Sequence, residues 1–144
     1  MRITKIEIRD FRGFPGPGAY TFDLDGGKNL LVYGENGSGK SSLFRALVEF
    51  FNLDPKARPF ADYKNIFSDS HLSNGHITVH FDDGQPPAVW PFGGNRSTSE
   101  LRVAETARRK GCLDYRALLR TNFIHGAGPV NIFDLVVESL LAGY

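Results

Sequence analysis

One cysteine, Cys112, is all the chain has, and a single thiol closes no internal disulfide. A zinc site built on it would need histidine partners. His76 and His80 fall on one face of an alternating stretch, but Cys112 is remote from them in sequence. No apolar run approaches the roughly 18 residues of a membrane-spanning helix. The opening residues, Met1-Arg2-Ile3-Thr4-Lys5, alternate and carry no signal-peptide apolar core, so the expected compartment is the cytoplasm and no membrane partner is expected. An excess of one charge is missing too: 17 Lys and Arg against 16 Asp and Glu leave a net charge of +1. That balance gives no global electrostatic argument for nucleic acid. There is no internal repeat and no low-complexity tract. What remains is an ordinary globular composition, 41% hydrophobic and 23% charged, long enough for one domain with a real core.

Glycine, in contrast, is concentrated where it matters. Gly34-Glu35-Asn36-Gly37-Ser38-Gly39-Lys40-Ser41 reads G-x-x-x-x-G-K-S. The apolar run Leu30-Leu31-Val32-Tyr33 before it predicts a buried strand, and the run from Ser41 to Phe51 predicts a helix. Strand, glycine loop and helix is the arrangement a phosphate cradle requires. Glycines can take positive φ, and successive backbone N–H groups can then converge on an anion. The helix adds its free N-terminal N–H groups and positive dipole end. In such a cradle Lys40 reaches the β- and γ-phosphates of a bound nucleotide as a point charge, the one catalytic role assigned here, and the Ser41 hydroxyl binds Mg²⁺.

Around this loop the chain alternates between strand and turn patterns. Residues 2–9 predict a half-buried strand with Ile6 and Ile8 on one face, and Ile3, out of phase, predicts an irregularity near Lys5. Phe11-Arg12-Gly13-Phe14 and Pro15-Gly16-Pro17-Gly18 form a turn region, and Tyr20, Phe22 and Leu24 share the face of a second strand. Leu43, Phe44, Leu47, Val48 and Phe51 give the helix a broad apolar face. Residues 52–75 read as polar and irregular. Residues 76–81 alternate as a hairpin strand, and Ala88-Val89-Trp90 returns as an edge strand before Pro91. Ser97 or Ser99 can cap a helix running to about Lys110, with Gly111 ending it. Residues 113–123 and a stretch after Asn131 predict two further helices.

Some stretches imitate other parts of nucleotide sites. Ile77-Thr78-Val79-His80-Phe81-Asp82-Asp83 resembles a Walker B strand, but Thr78 and His80 interrupt the continuous apolar run that a strand buried on both faces needs. Leu135-Val136-Val137-Glu138 does so only superficially. Phe92-Gly93-Gly94-Asn95 lacks the serine of an ABC signature. Asp83-Gly84-Gln85 lacks the acid of a GTPase switch, and no N-K-x-D occurs. Between residues 95 and 120 seven basic residues (Arg96, Arg102, Arg108, Arg109, Lys110, Arg116, Arg120) face only Glu100, Glu105 and Asp114. This is either a solvated helix face, the reading preferred here, or a DNA surface.

Together, Ile6-Glu7-Ile8-Arg9-Asp10-Phe11-Arg12-Gly13-Phe14 and Gly34 to Leu43 resemble the N-terminal part of an SMC/RecF-type ABC ATPase head, an AAA-family ATPase whose head is split by a coiled coil. The resemblance is close over the first fifty residues and architectural beyond about residue 55. It implies an α/β P-loop NTPase fold, the N-terminal half of an ABC-type head with a mixed sheet. The whole of 1–144 would be one lobe: a strand and P-loop core at 1–55, a loop and hairpin at 56–94, and a helical segment at 95–144 leading towards the coiled coil. It implies ATP and Mg²⁺ bound by Gly34, Glu35, Asn36, Gly37, Ser38, Gly39, Lys40, Ser41 and Ser42, with Phe11, Arg12 and Gly13 on the nucleoside side. The family's Q-loop glutamine has no clear counterpart. Gln85, the only glutamine, falls in a hairpin turn, and Asp114 is a candidate substitute as metal ligand. In the family two heads sandwich two ATP molecules, so the implied partners are a C-terminal lobe of the same head, a second head in a homodimer, DNA and accessory subunits. The implied setting is DNA repair, chromosome handling or anti-phage defence. The sequence given holds no signature motif, Walker B acid pair, D-loop or switch histidine, so hydrolysis is expected only with the missing lobe and a second head. Two other readings compete: a stand-alone P-loop phosphotransferase acting on a metabolite, and a nucleotide-dependent interaction module without catalysis.

Overall fold

The computed structural model describes residues 1–68 and 74–111. The chain runs β1 (Ile3–Arg9), β2 (Tyr20–Asp23), α1 (Lys40–Phe50), a 3-10 turn (Phe60–Tyr63), β3 (His76–Phe81), β4 (Ala88–Pro91) and α2 (Leu101–Arg109). The four strands form one sheet in the order β2-β1-β3-β4, and every pairing is antiparallel. The fold is α/β, but the mixed sheet expected from the resemblance is not what the described residues form. Pairing follows the alternation in the sequence. Ile6 faces Phe22 and Val79 across the ladder, and Ile8 faces Tyr20 and Ile77, so one apolar face extends over three strands. The register shifts between Ile3 and Lys5, the irregularity that Ile3's phase predicted. β4 is an edge strand, as is β2, and Pro91 sits where a missing N–H is tolerated.

The core lies on that face. Ile6, Ile8, Ile77, Val79, Ala88 and Trp90 pack with Leu43, Ala46 and Phe50 of α1 and with Val103 and Ala107 of α2. The buried stripe of α1 is rotated from the expected one: Phe44 is exposed, while Ala46, Glu49 and Phe50 point inward. An aromatic cluster locks the turn after β1 to the rest. Phe11 stacks on Tyr63 with ring centroids 5.3 Å apart and meets Phe60 edge-on at 5.5 Å, while Phe60 meets Trp90 at 5.1 Å. The 3-10 turn that supplies Phe60 and Tyr63 lies in the stretch expected to be merely irregular.

Two local expectations are corrected. Residues 30–33 form no strand, and Leu31 and Tyr33 are 86% and 89% exposed. A strand exists only with a ladder partner, and the antiparallel sheet places none beside this run among the described elements. Ser97 does not cap α2. Its hydroxyl donates to the Val89 carbonyl and accepts from the Val89 N–H, fastening the loop to β4, and Glu100 takes the N-cap position without a side-chain bond. Asp114 and the two helices expected after residue 112 lie outside the described residues. Among the described residues no helix is long and apolar enough to cross a membrane.

Candidate functional site

The glycine loop enters α1 through Gly39, whose φ of 91° lies in the left-handed region that favours glycine. Ser42 and Leu43 N–H groups both bond to the Gly39 carbonyl, at 2.9 and 3.0 Å. The Lys40 and Ser41 N–H groups, at the first turn, therefore have no intrahelical acceptor and are aimed along the helix axis, where a phosphate would find them. Lys40 folds back over the loop. Its ammonium donates to the Gly34 carbonyl at 2.7 Å, the Glu35 carbonyl at 2.6 Å and Ser38 Oγ at 3.3 Å. Two firm carbonyl bonds hold the charge at the loop's open side. The third and longest bond is the one a phosphate oxygen can replace, since an ammonium has three protons to give. Glu35, Asn36, Gly37, Ser38 and Ser41 are exposed, so the cradle is open to solvent. Free helix N–H groups, a positioned ammonium and an exposed Ser41 hydroxyl fit a triphosphate with its Mg²⁺.

The turn at residues 11–14 docks on this helix. Phe11 and Phe14 exchange two backbone bonds of 2.9 Å, which makes the turn tight, and Arg12 takes a φ of 47° within it. The Gly13 N–H donates to Ser42 Oγ at 3.1 Å. A Cβ on Gly13 would stand 2.9 Å from that oxygen and 3.6 Å from Gly39 Cα, so a larger residue would have to displace the Ser42 hydroxyl. Thus Gly13 meets Gly39 and Ser42, more than twenty positions further along the chain, at one point, and Arg12 is exposed beside them. Phe11 does not share that role: its ring is 0% exposed and serves the core, so its assignment to the nucleoside side is corrected to support from beneath.

Sequence reasoning missed the segment that faces this turn. Arg12, Gly13, Ser42, Asn65, Ile66 and Phe67 line a cleft of about 600 Å³, within the roughly 300–1,000 Å³ range of ligand pockets. The Arg12 N–H donates to the Tyr63 carbonyl at 2.7 Å, and Asn65 Nδ2 donates to the Arg12 carbonyl. No motif announces residues 62–67; two adjacent large apolar residues, Ile66 and Phe67, in a polar loop were the available signal.

Beneath the site, Glu49 of α1 is 6% exposed. It lies 3.4 Å from Arg45 Nε and 3.6 Å from an Arg96 nitrogen. Burial, reinforced by a hydrogen bond to Glu49, raises the Tyr63 phenol above its ordinary value. Arg96 also donates to the carbonyls of Glu49 (2.8 Å) and Arg58 (2.6 Å) and stacks 3.9 Å over Trp90. Arg102 pairs with Glu100 and Asp83, and the Lys110 ammonium donates to the Phe51 carbonyl at 2.6 Å. Three of the basic residues singled out in the sequence therefore hold the fold together. Gln85 lies in the β3–β4 connection, its N–H on Asp83 Oδ1.

Residues 5–110 match the family described as an AAA domain. The match spans most of the chain, and the chain belongs to that family. Its class is a nucleotide-binding P-loop ATPase domain, which implies ATP as ligand with Mg²⁺ as the ion that accompanies it. No curated protein matches the chain at a significant level.

Proposed function

We propose that this domain is the ATP–Mg²⁺-binding lobe of an SMC/RecF-type ATPase head. In this reading the whole chain forms one lobe, and ATP-dependent pairing of two such heads drives an action on DNA in genome maintenance or anti-phage defence. The observation that carries the reading is the bond from the Gly13 N–H to Ser42 Oγ. It joins in space the two motifs whose combination in sequence resembles that class. Lys40 supplies the charge at the phosphates, Ser41 the metal's hydroxyl ligand, and Arg12 the cation on the nucleoside side. Bound Mg²⁺ would neutralise phosphate charge and help to orient the transferred group.

The exposed run at residues 30–33 supports completion by a second lobe, because its backbone and its apolar side chains lack cover among the described elements. Pairing it as a strand would satisfy both. A DNA surface on α2 would include Arg108, which is exposed, and would not rest on Arg96, Arg102 or Lys110, which are engaged within the fold. Incubation of the chain with γ-labelled ATP and Mg²⁺ tests the reading. Bound, unconverted ATP is expected, with turnover only when the complementary lobe is supplied. Transfer of label to a small metabolite by the chain alone would contradict it.

A further inference from the structure

We propose that a groove along α2 is the seat of this chain's own residues 113–123, lying antiparallel to α2. The groove is independent of the nucleotide site: Lys110, at its end, bonds to the Phe51 carbonyl, at the opposite end of α1 from Ser41. Two hollows adjoin along the helix. One, of about 580 Å³, lies between Pro86 and Pro87 on one side and Leu101 and Glu105 on the other. The second, of about 220 Å³, runs from Glu105 past Arg109 to Met1. Glu105 lines both, and Leu101, Glu105 and Arg109 are four residues apart, so they mark one stripe of α2. Leu101 is 71% and Met1 57% exposed, which leaves apolar surface open at both ends of the stripe.

The occupant follows from where the chain goes next. α2 ends at Lys110, whose ψ of 130° is extended, and Gly111 follows. Residues 113–123 lie outside the described residues, but they begin just past the Arg109 end of the groove. A short loop of this length is what joins two antiparallel helices. From residue 101 to 109 the stripe is about 12 Å long, and a helix over 113–123 would be about 16 Å, enough to cover it. On such a helix Leu113, Arg116, Arg120 and Phe123, spaced three, four and three, share one face. Laid back over α2, that face meets its complement at each level. Leu113 falls towards Met1, and Arg116 falls opposite Glu105. Arg120 falls opposite the start of α2, where Arg102 is shared between Glu100 and Asp83 and one negative charge is left over. Phe123 reaches Leu101 and the two prolines. Two arginines between apolar ends thus match two negative levels between apolar ends.

Hydrogen exchange of the full chain, read peptide by peptide, tests this. In the wild type the amides of residues 113–123 should exchange about tenfold or more slowly than in an unstructured chain. Leu101→Ser should lower that protection about tenfold, what an uncovered leucine costs. Leu101 is exposed, so β1 and β3 should keep their own protection and report that the variant folds. Glu105→Arg should lower protection of 113–123 by about twofold to fivefold, the range of a solvent-edged ion pair, and adding Arg116→Glu should restore it. Wild-type residues 113–123 exchanging freely, or protection that ignores Leu101→Ser, overturns the proposal. So does protection that rises with protein concentration, which would mean a second copy in the groove. Failure of Arg116→Glu to rescue Glu105→Arg overturns the antiparallel seat.

Discussion

Arg96→Ala should destabilise the domain by about 3–5 kcal/mol, the cost of removing one partner from a buried ion pair. The Arg96 side chain is 10% exposed and about 3.6 Å from the Glu49 carboxylate. Its guanidinium donates to the carbonyls of Glu49 and Arg58 and lies 3.9 Å over Trp90. Charge-assisted hydrogen bonds contribute about 1.5–3 kcal/mol each, and a partly desolvated cation–π contact about 1 kcal/mol. These contributions overlap and do not add, because all four contacts share one group. The lower end of the range is favoured because Arg45 Nε stays 3.4 Å from Glu49. Burial pushes the Arg96 guanidinium below its ordinary value, with Glu49 opposing, but leaves it charged at neutral pH. Urea unfolding followed by far-UV circular dichroism and by Trp90, the only tryptophan, measures the loss. The double variant Glu49→Gln with Arg96→Met should recover part of it, since no uncompensated charge is then buried. A loss under about 1 kcal/mol at unchanged denaturant slope would refute the claim that this network joins α1 to the 3-10 turn and β4.

Two other perturbations probe different parts of the molecule. Gly13→Ala places a Cβ 2.9 Å from Ser42 Oγ. It should cost about 1–3 kcal/mol by overpacking, because the hydroxyl cannot turn away without losing the Gly13 N–H; a thermal melt checks this, and an unchanged midpoint would place the turn elsewhere. On the sheet's outer face, a bond from Lys5 and then the charges of Lys5 and His80 hold the Glu7 carboxyl below its ordinary value, against the opposing effect of burial. A lowered folded-state pKa stabilises the protein fully above the unfolded carboxylate range, and that contribution disappears as pH falls through the folded value. Glu7→Gln should therefore cost up to about 1 kcal/mol near pH 7, and the gap to wild type should close below about pH 4. Urea midpoints at both pH values measure it, and a gap that persists in acid would show that Glu7 acts through packing.

Local signals in the sequence carried well where the structure is locally determined. Alternation located β1, β3 and β4, and the phase of Ile3 revealed the register shift, because a period of two fixes which face each residue takes. The glycine loop and its helix were legible for the same reason: glycine spacing and helix start are set within a dozen residues. What the sequence hid depends on partners far along the chain. Residues 30–33 have the apolar content of a buried strand, but strand formation needs a neighbour that composition does not show. Glu49 and Arg96 look like surface charges in one dimension and become buried partners only when α1 meets the loop after β4. The 3-10 turn carrying Phe60 and Tyr63 is too short for any periodicity to mark. Of the candidate site, the glycine loop and the start of α1 were legible, while the segment at residues 62–67 was not, because its place comes from hydrogen bonds to Arg12 across more than fifty positions.

The account's central claim is that residues 34–41 hold the triphosphate of ATP through the helix N-terminus and Lys40. The most direct test is titration of Mg-ATP into wild-type chain and into Lys40→Ala. Among the described residues Lys40 bonds only to acceptors of its own loop, so its removal should leave the melting temperature of the unliganded chain nearly unchanged. ATP affinity should fall about tenfold or more, the least expected for losing a charge-assisted contact to phosphate. A Lys40→Ala chain that binds Mg-ATP as tightly as wild type would contradict the claim.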